Sequence, residues 1–138
     1  MRVLAIDFGT RRIGVAVSDE TATLARPLAV LPAVPRDRLL RELARLVTEH
    51  AAGEVVVGRP RGSRGPGTLE AAAEAFAGEL REACGVPVHL RDESMTTAVA
   101  QEKLLEAGAR RRKRRASLDA AAAAVLLQAW LDDRKAAR

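Results

Sequence analysis

The order of hydrophobic periodicities along the chain predicts an α/β domain, a five-stranded mixed sheet flanked by helices. Three strand-like runs come first and close together, and two more follow, each behind a helix-length amphipathic stretch. Short connections make the first three strands antiparallel neighbours, whereas helical crossovers add the later two in parallel. With 138 residues, no internal repeat and no linker-like segment, residues 1–138 are expected to fold as a single domain.

The first three runs are Arg2 to Phe8, Ile13 to Val17 and roughly Leu24 to Leu31. The first two are continuously apolar, the pattern of strands covered on both faces. After Pro35 the period becomes helical from about Arg36 to His50, with Leu39, Leu40, Leu43, Leu46 and Val47 along one side. Glu54 to Gly58 reads as a buried strand, and Arg59 to Gly67 as a loop crowded with Gly, Pro and Arg. A second helix is expected from about Thr68 to Ala83, closed by Gly85 just past its end. Val86 to Leu90 is the fifth strand, and Pro87 puts it at a strand start or a sheet edge. The chain turns helical again from about Thr96 to Ala107 and stops at Gly108. After a basic run, a last helix starts behind Ser117, a suitable N-cap, and continues to about Lys135.

The single cysteine, Cys84, excludes an internal disulfide and reads as a small filler near a helix end. The longest apolar run, Ala120 to Leu127, is far too short to span a membrane, and the N-terminus is read as passing directly into a strand without a signal sequence. A soluble protein of the reducing cytoplasm, with no membrane partner, is the expectation. The net charge of +5 is concentrated in one place. Arg110, Arg111, Arg112, Lys113, Arg114 and Arg115 hold six of the 23 basic residues, and the other 17 are outnumbered by 18 acidic ones. Six like charges repel one another unless a polyanion relieves them, which points to nucleic acid. Arg11 and Arg12, on the turn after Asp7, are placed to hold a phosphate, and Arg59, Arg61 and Arg64 add positive charge in the loop. There is no Tyr, and the aromatics are Phe8, Phe76 and Trp130, with the last two read as core. Platforms for stacking splayed bases are scarce, so reading of backbone or shape is favoured over base-specific recognition.

Asp7 ends an apolar strand and is followed by the turn Phe8-Gly9-Thr10-Arg11-Arg12. A carboxylate there needs a partner, either the turn amides of Gly9 to Arg11 or a cation. Asp92 and Glu93 end the last strand, and Asp119 enters the last helix on the side shared by Ala122, Ala123, Leu126 and Trp130. Each acid alone has an ordinary explanation, such as the helix dipole for Asp119. Gathered at the carboxyl ends of parallel strands, they repel one another without a cation. Oxygen donors of this kind suit Mg²⁺ or Mn²⁺ and not zinc. Two such ions about 4 Å apart activate a water and stabilise the leaving oxygen in attack on a phosphodiester. The residues themselves do not choose between Asp92 and Glu93. His50 and His89 belong to no motif, and His89 is a lesser candidate base because its strand leads to the acids.

Asp7-Phe8-Gly9, Arg12-Ile13-Gly14-Val15-Ala16, Ser18-Asp19, Gly58 and Pro60, Asp92-Glu93 with Thr96-Thr97, and Asp119 with Ala122-Ala123, Leu127-Gln128 and Leu131-Asp132 together resemble the YqgF family, also called RuvX. The match runs in order over nearly the whole chain. It implies a ribonuclease H-like fold, a divalent-metal nuclease, and a bacterial cytoplasmic role in maturing the 16S ribosomal RNA precursor, with Holliday junction resolution an older proposal. By position it implies Asp7, Glu93 and Asp119 as the catalytic, metal-binding acids. Two departures stand out: Ser94 follows the Asp-Glu pair where the family usually has Arg, and the loop after Pro60 reads Arg61-Gly62-Ser63-Arg64-Gly65-Pro66-Gly67 in place of an Asn-Met-Asp-Gly type of pattern.

The expected function is therefore hydrolysis of RNA precursors or of single-stranded or branched DNA, with a ribosomal precursor particle as a partner. The departures motivate an alternative, a nucleic-acid or ribosome-associated module that has kept the fold and lost the chemistry. A third reading starts from Asp-Phe-Gly-Thr, which resembles the first phosphate loop of the actin and sugar-kinase fold, but that fold needs a second such loop and a second domain. A monomer trimming one strand and a dimer resolving a junction are equally compatible with the sequence.

Overall fold

A computed structural model describes residues 1–9, 11–59, 69–92 and 111–137. The elements in chain order are β1 (Arg2–Asp7), β2 (Arg12–Ser18), β3 (Ala25–Pro32), α1 (Arg36–Glu49), β4 (Ala52–Arg59), α2 (Leu69–Cys84), β5 (Val88–Asp92) and α3 (Arg111–Ala136). They form one sheet in the order β3-β2-β1-β4-β5. The pairs β1–β2 and β2–β3 are antiparallel, and β1–β4 and β4–β5 are parallel, as the connection lengths require. The helix expected over Thr96–Ala107 and the loop from Pro60 to Gly67 lie outside the described residues.

Period-two alternation gives the sheet two apolar faces. On one face Leu4, Ile6 and Phe8 join Ile13, Val15, Val17, Val55 and Val57 against Leu39, Leu43, Leu46 and Val47 of α1 and Ala73, Phe76, Ala77 and Leu80 of α2. On the other, Val3, Ala5, Ala16 and Val56 pack against Ala123, Leu126, Leu127 and Leu131 of α3. Phe76 is fully buried, as read from the sequence. Trp130 is a margin residue instead: half-buried, it stacks on His89 at 5.1 Å between ring centroids and lies under the Arg134 guanidinium. Gly85 closes α2 with φ of +71°, the left-handed geometry that glycine adopts without penalty, and its N–H donates to the Arg81 carbonyl. β5 begins directly after Pro87 and pairs with β4.

One boundary differs substantially from expectation. The last helix begins at Arg111, not behind Ser117, so the basic residues Arg111 to Arg115 form its opening turns and Ser117 lies inside it. Arg and Lys are strong helix formers, and like-charge repulsion on a helix costs only a few tenths of a kcal/mol per pair, so propensity outweighs the capping signal.

The helix α3 crosses β1, β2 and β3 and rests with its backbone on Gly14 of β2. A Cβ on Gly14 would lie 1.9 Å from the Asp119 carbonyl oxygen, so only glycine admits the helix backbone to this depth. Further along, Gln128 ties α3 to the β2–β3 hairpin, accepting from Ala25 N–H at 2.9 Å and donating to the Thr23 carbonyl at 2.9 Å. The hairpin is organised by Asp19, whose Oδ1 accepts from the N–H groups of Thr23 and Leu24 and whose Oδ2 accepts from the Thr21 hydroxyl. These bonds, chiefly that from Thr23 N–H, lower the Asp19 pKa to about 2.

Two expected outcomes follow from this packing. Gly14→Ala destabilises the fold by about 1–3 kcal/mol, because the helix must move away. Gly78→Ala in α2, where a Cβ meets nothing within 4 Å, stabilises by about 0.5–1 kcal/mol; urea denaturation of both variants measures the contrast. The Asp19 carboxyl, lowered in the fold relative to about 3.9 in an unfolded chain, supports the fold fully above that unfolded value. The support is lost as pH falls through about 2. Carboxyl-detected NMR titration reads this directly, with Asp19→Asn as the control that removes the resonance.

Candidate active site

The pairing register builds a single transverse row at the carboxyl end of the parallel strands. Val30, Gly14, Asp7, Gly58 and Arg91 stand opposite one another across β3, β2, β1, β4 and β5. Paired residues share a face, and Val3 and Ala5 show that the odd-numbered side chains of β1 face α3. Asp7 therefore points to the helix side with a glycine on either hand. The two glycines leave a gap around a half-buried carboxylate that side chains would otherwise fill.

Asp119 closes the gap from above. Its backbone rests on Gly14, the direct partner of Asp7, and its Oδ2 accepts a 2.7 Å bond from Arg12 Nε. Arg12 opens β2 on the same face as Gly14, two residues away. The structure thus brings together Asp7, Arg12 and Asp119, residues 112 positions apart in the chain at their extremes. Arg11 is exposed on the turn, with its carbonyl accepting from Ala33 N–H.

Asp92 and Arg59 belong to the opposite face. They pair in the β4–β5 register on the α2 side, where Arg59 Nε donates to Asp92 Oδ1 at 2.9 Å. Arg59 also contacts Glu74 at 2.7 Å and Glu70 at 3.7 Å. The bond to Asp92, followed by that to Glu74, raises the Arg59 pKa above its ordinary value. This guanidinium, read from the sequence as a nucleic-acid contact, is surrounded by three carboxylates on the far side of the sheet from Asp7. Glu93 and Arg110 lie outside the described residues. Among the described residues no three His, Cys, Asp or Glu side chains gather as a metal site. The described part of the expected set is the Asp7–Asp119 pair, with hard oxygen donors and two flanking glycines, and it fits a hard divalent cation.

The basic run acquires a defined place. Arg111 to Arg115 precede Asp119 on one continuous helix, about 6 to 12 Å away along its axis. His89 is engaged structurally, with Nε2 3.1 Å from Glu54 Oε2 and its ring on Trp130. Sequence reasoning gave no site role to Gly14, Gly58 or Arg91 of the row. Gly14 and Gly58 could have been found as glycines inside strands, which signal close approach. Arg91, bonded to Asp133 of α3 at 2.6 Å, gave no comparable signal. A groove of about 500 Å³ beside Met1, Val3, Glu20, Glu54 and Arg134 opens at the amino ends of β1 and β4 and includes neither acid.

Comparison with known proteins agrees with this fold. A family model described as "RuvX: Holliday junction resolvase" matches residues 1–133. A protein of Chloroflexus aggregans named "Putative pre-16S rRNA nuclease" is 40% identical over 136 residues, covering 96% of this chain and 94% of its own. A Mycobacterium sp. (strain KMS) protein with the same name is 46% identical over 142 residues, covering 99% and 82%. Among solved structures, T. thermophilus RuvC in complex with Holliday junction substrate aligns with a TM-score of 0.61 at 23% identity, over 98% of this chain and 96% of that one. The fowlpox virus resolvase with Holliday junction DNA aligns at 0.57 and 15% identity, over 97% and 99%. At such identities these two show the shared fold, that of the RuvC-like, ribonuclease H-type resolvases. With a family model spanning almost the whole chain and relatives above 40% identity, this chain belongs to the RuvX (YqgF) family.

Proposed function

We propose that the chain is a divalent-metal-dependent nuclease that hydrolyses phosphodiesters of the 16S ribosomal RNA precursor in the cytoplasm. The observation that carries this reading is the meeting of Asp7 and Asp119 across Gly14 at the carboxyl end of the parallel strands. Two carboxylates brought to the same end of the sheet repel each other when they approach, and a cation between them relieves the repulsion. Glu93 is the third acid of the reading. Its neighbour Asp92 is turned to the α2 face and engaged by Arg59, which favours Glu93 over Asp92. When bound, Mg²⁺ or Mn²⁺, as a pair in this reading, supplies Lewis acidity and lowers the pKa of an attacking water.

The protein's own part is placement. Asp7 is fixed by the sheet, Asp119 by the contact of α3 with Gly14, and the phosphate chain is steered to them by cations. Arg111 to Arg115 open the helix that carries Asp119, where their charge opposes the positive end of the helix dipole. A polyanion removes both the mutual repulsion and this conflict. The aromatic rings take little part: Phe8 and Phe76 are buried, and Trp130 is covered by His89 and Arg134. Recognition through the backbone, with strong salt dependence, is the consequence. The choice of an RNA precursor over a DNA junction rests on the names of relatives at 40% identity or more, since the resolvases resemble this chain in fold alone.

Asp7→Asn is expected to reduce cleavage of precursor ribosomal RNA by at least about 10³-fold while leaving thermal stability and RNA binding near wild type. Chelation should abolish wild-type turnover, and Mn²⁺ or Mg²⁺ should restore it. A gel assay on precursor RNA, single-stranded DNA and a four-way junction, with mass measured in solution, decides substrate and oligomeric state together. Undiminished cleavage in chelator contradicts the metal reading. A second reading, a binding module without chemistry, draws on Ser94 and the altered loop; tight metal-independent binding without turnover on any of these substrates would select it.

A further inference from the structure

We infer that Arg12 is an exchangeable latch on the active site: without a cation it holds Asp119, and when a divalent cation engages Asp119 it turns over to a phosphate of the nucleic acid. The inference rests on the metal reading above and adds a positioning role for Arg12 that a simple phosphate contact does not have. Three observations carry it. Arg12 Nε is 2.7 Å from Asp119 Oδ2, so its first partner is an acid of the site and not solvent. The pair is open to water, with side-chain exposures of 44% and 27%, and an exposed ion pair is weak enough to exchange. The Asp119 backbone is pinned on Gly14, the register partner of Asp7, so the residue keeps its place at this end of the sheet when the guanidinium leaves.

Charge supplies the reason for such a latch. Asp7 and Asp119 are acids at one end of the sheet, and Arg12 offsets the charge of Asp119. The folded protein thereby keeps the acids close before any cation arrives. A metal ion replaces that charge with a larger one, and the released guanidinium, five donors on a planar fork, is matched to a phosphate. The anchoring of Arg12 at the first position of β2 limits its swing to the space around the site.

The test is Mn²⁺ affinity without nucleic acid, read by the electron paramagnetic resonance of unbound Mn²⁺, for wild type, Arg12→Gln, Arg12→Lys and Asp7→Asn. Arg12→Gln removes the competitor and is expected to bind Mn²⁺ about fivefold more tightly. Arg12→Lys keeps the charge and should lie near wild type. A merely structural Arg12 predicts the opposite, weaker binding together with a lower thermal midpoint. A second readout is RNA affinity with Ca²⁺ present or absent: Arg12→Gln should lose about tenfold with the ion and little without it. Equal loss in both conditions, or Mn²⁺ affinity unchanged or weakened in Arg12→Gln while Asp7→Asn loses binding, overturns the latch and leaves the metal reading standing. Mn²⁺ binding by Asp7→Asn equal to wild type overturns the metal reading, and the latch with it.

Discussion

The contact of the α3 backbone with Gly14 is the constraint on which the rest of the site depends. Gly14 has no side chain, so the carbonyl of Asp119 can descend to the strand, and Gly14 is also the register partner of Asp7. One position therefore sets both the depth of the helix and the separation of two acids. The apolar seam of Ala123, Leu126, Leu127 and Leu131 against Val3, Ala5, Ala16 and Val56 holds the helix in that seat. Burial of this seam is non-directional and strong, whereas the Arg12–Asp119 bond is exposed and weak. Packing positions the acids, and electrostatics is left available to change during function.

The two faces of the sheet divide the charged residues into different roles. On the α2 side, Arg59 is fixed among Asp92, Glu74 and Glu70 and joins the ends of β4 and β5 to a helix. On the α3 side, Arg12 pairs with Asp119 and keeps a route to solvent. Arginines at the same end of the sheet, on the strands either side of β1, thus differ in what they can do, and the difference is set by strand parity.

That parity also explains how much could be read in advance. Strand and helix order, the antiparallel and parallel halves of the sheet, and the closing role of Gly85 were legible because they follow from hydrophobic period and connection length. Asp7 and Asp119 were legible as polar residues at the borders of apolar patterns. The position of Arg59 was not, since nothing local tells which face a residue at a strand end will take; the register of β4 against β5 decides it. The start of α3 was misread because Ser117 offers a cap that a helix of Arg and Lys does not need. The place of Gly14 beneath Asp119 depends on a contact across 105 positions, beyond any periodicity.

The continuity of α3 from Arg111 through Asp119 has a consequence for how binding and chemistry are coupled. A helix advances about 100° and 1.5 Å per residue, so the angle between the cationic turns and Asp119 is a phase, set by the number of residues between them. A one-residue insertion in that interval would keep every side chain and every charge, yet rotate the cationic turns by more than a quarter of a circle about the acid. The segment behaves as a shaft with the basic residues and Asp119 keyed to it at a fixed angle, and in the nuclease reading proposed above its length matters as much as its composition.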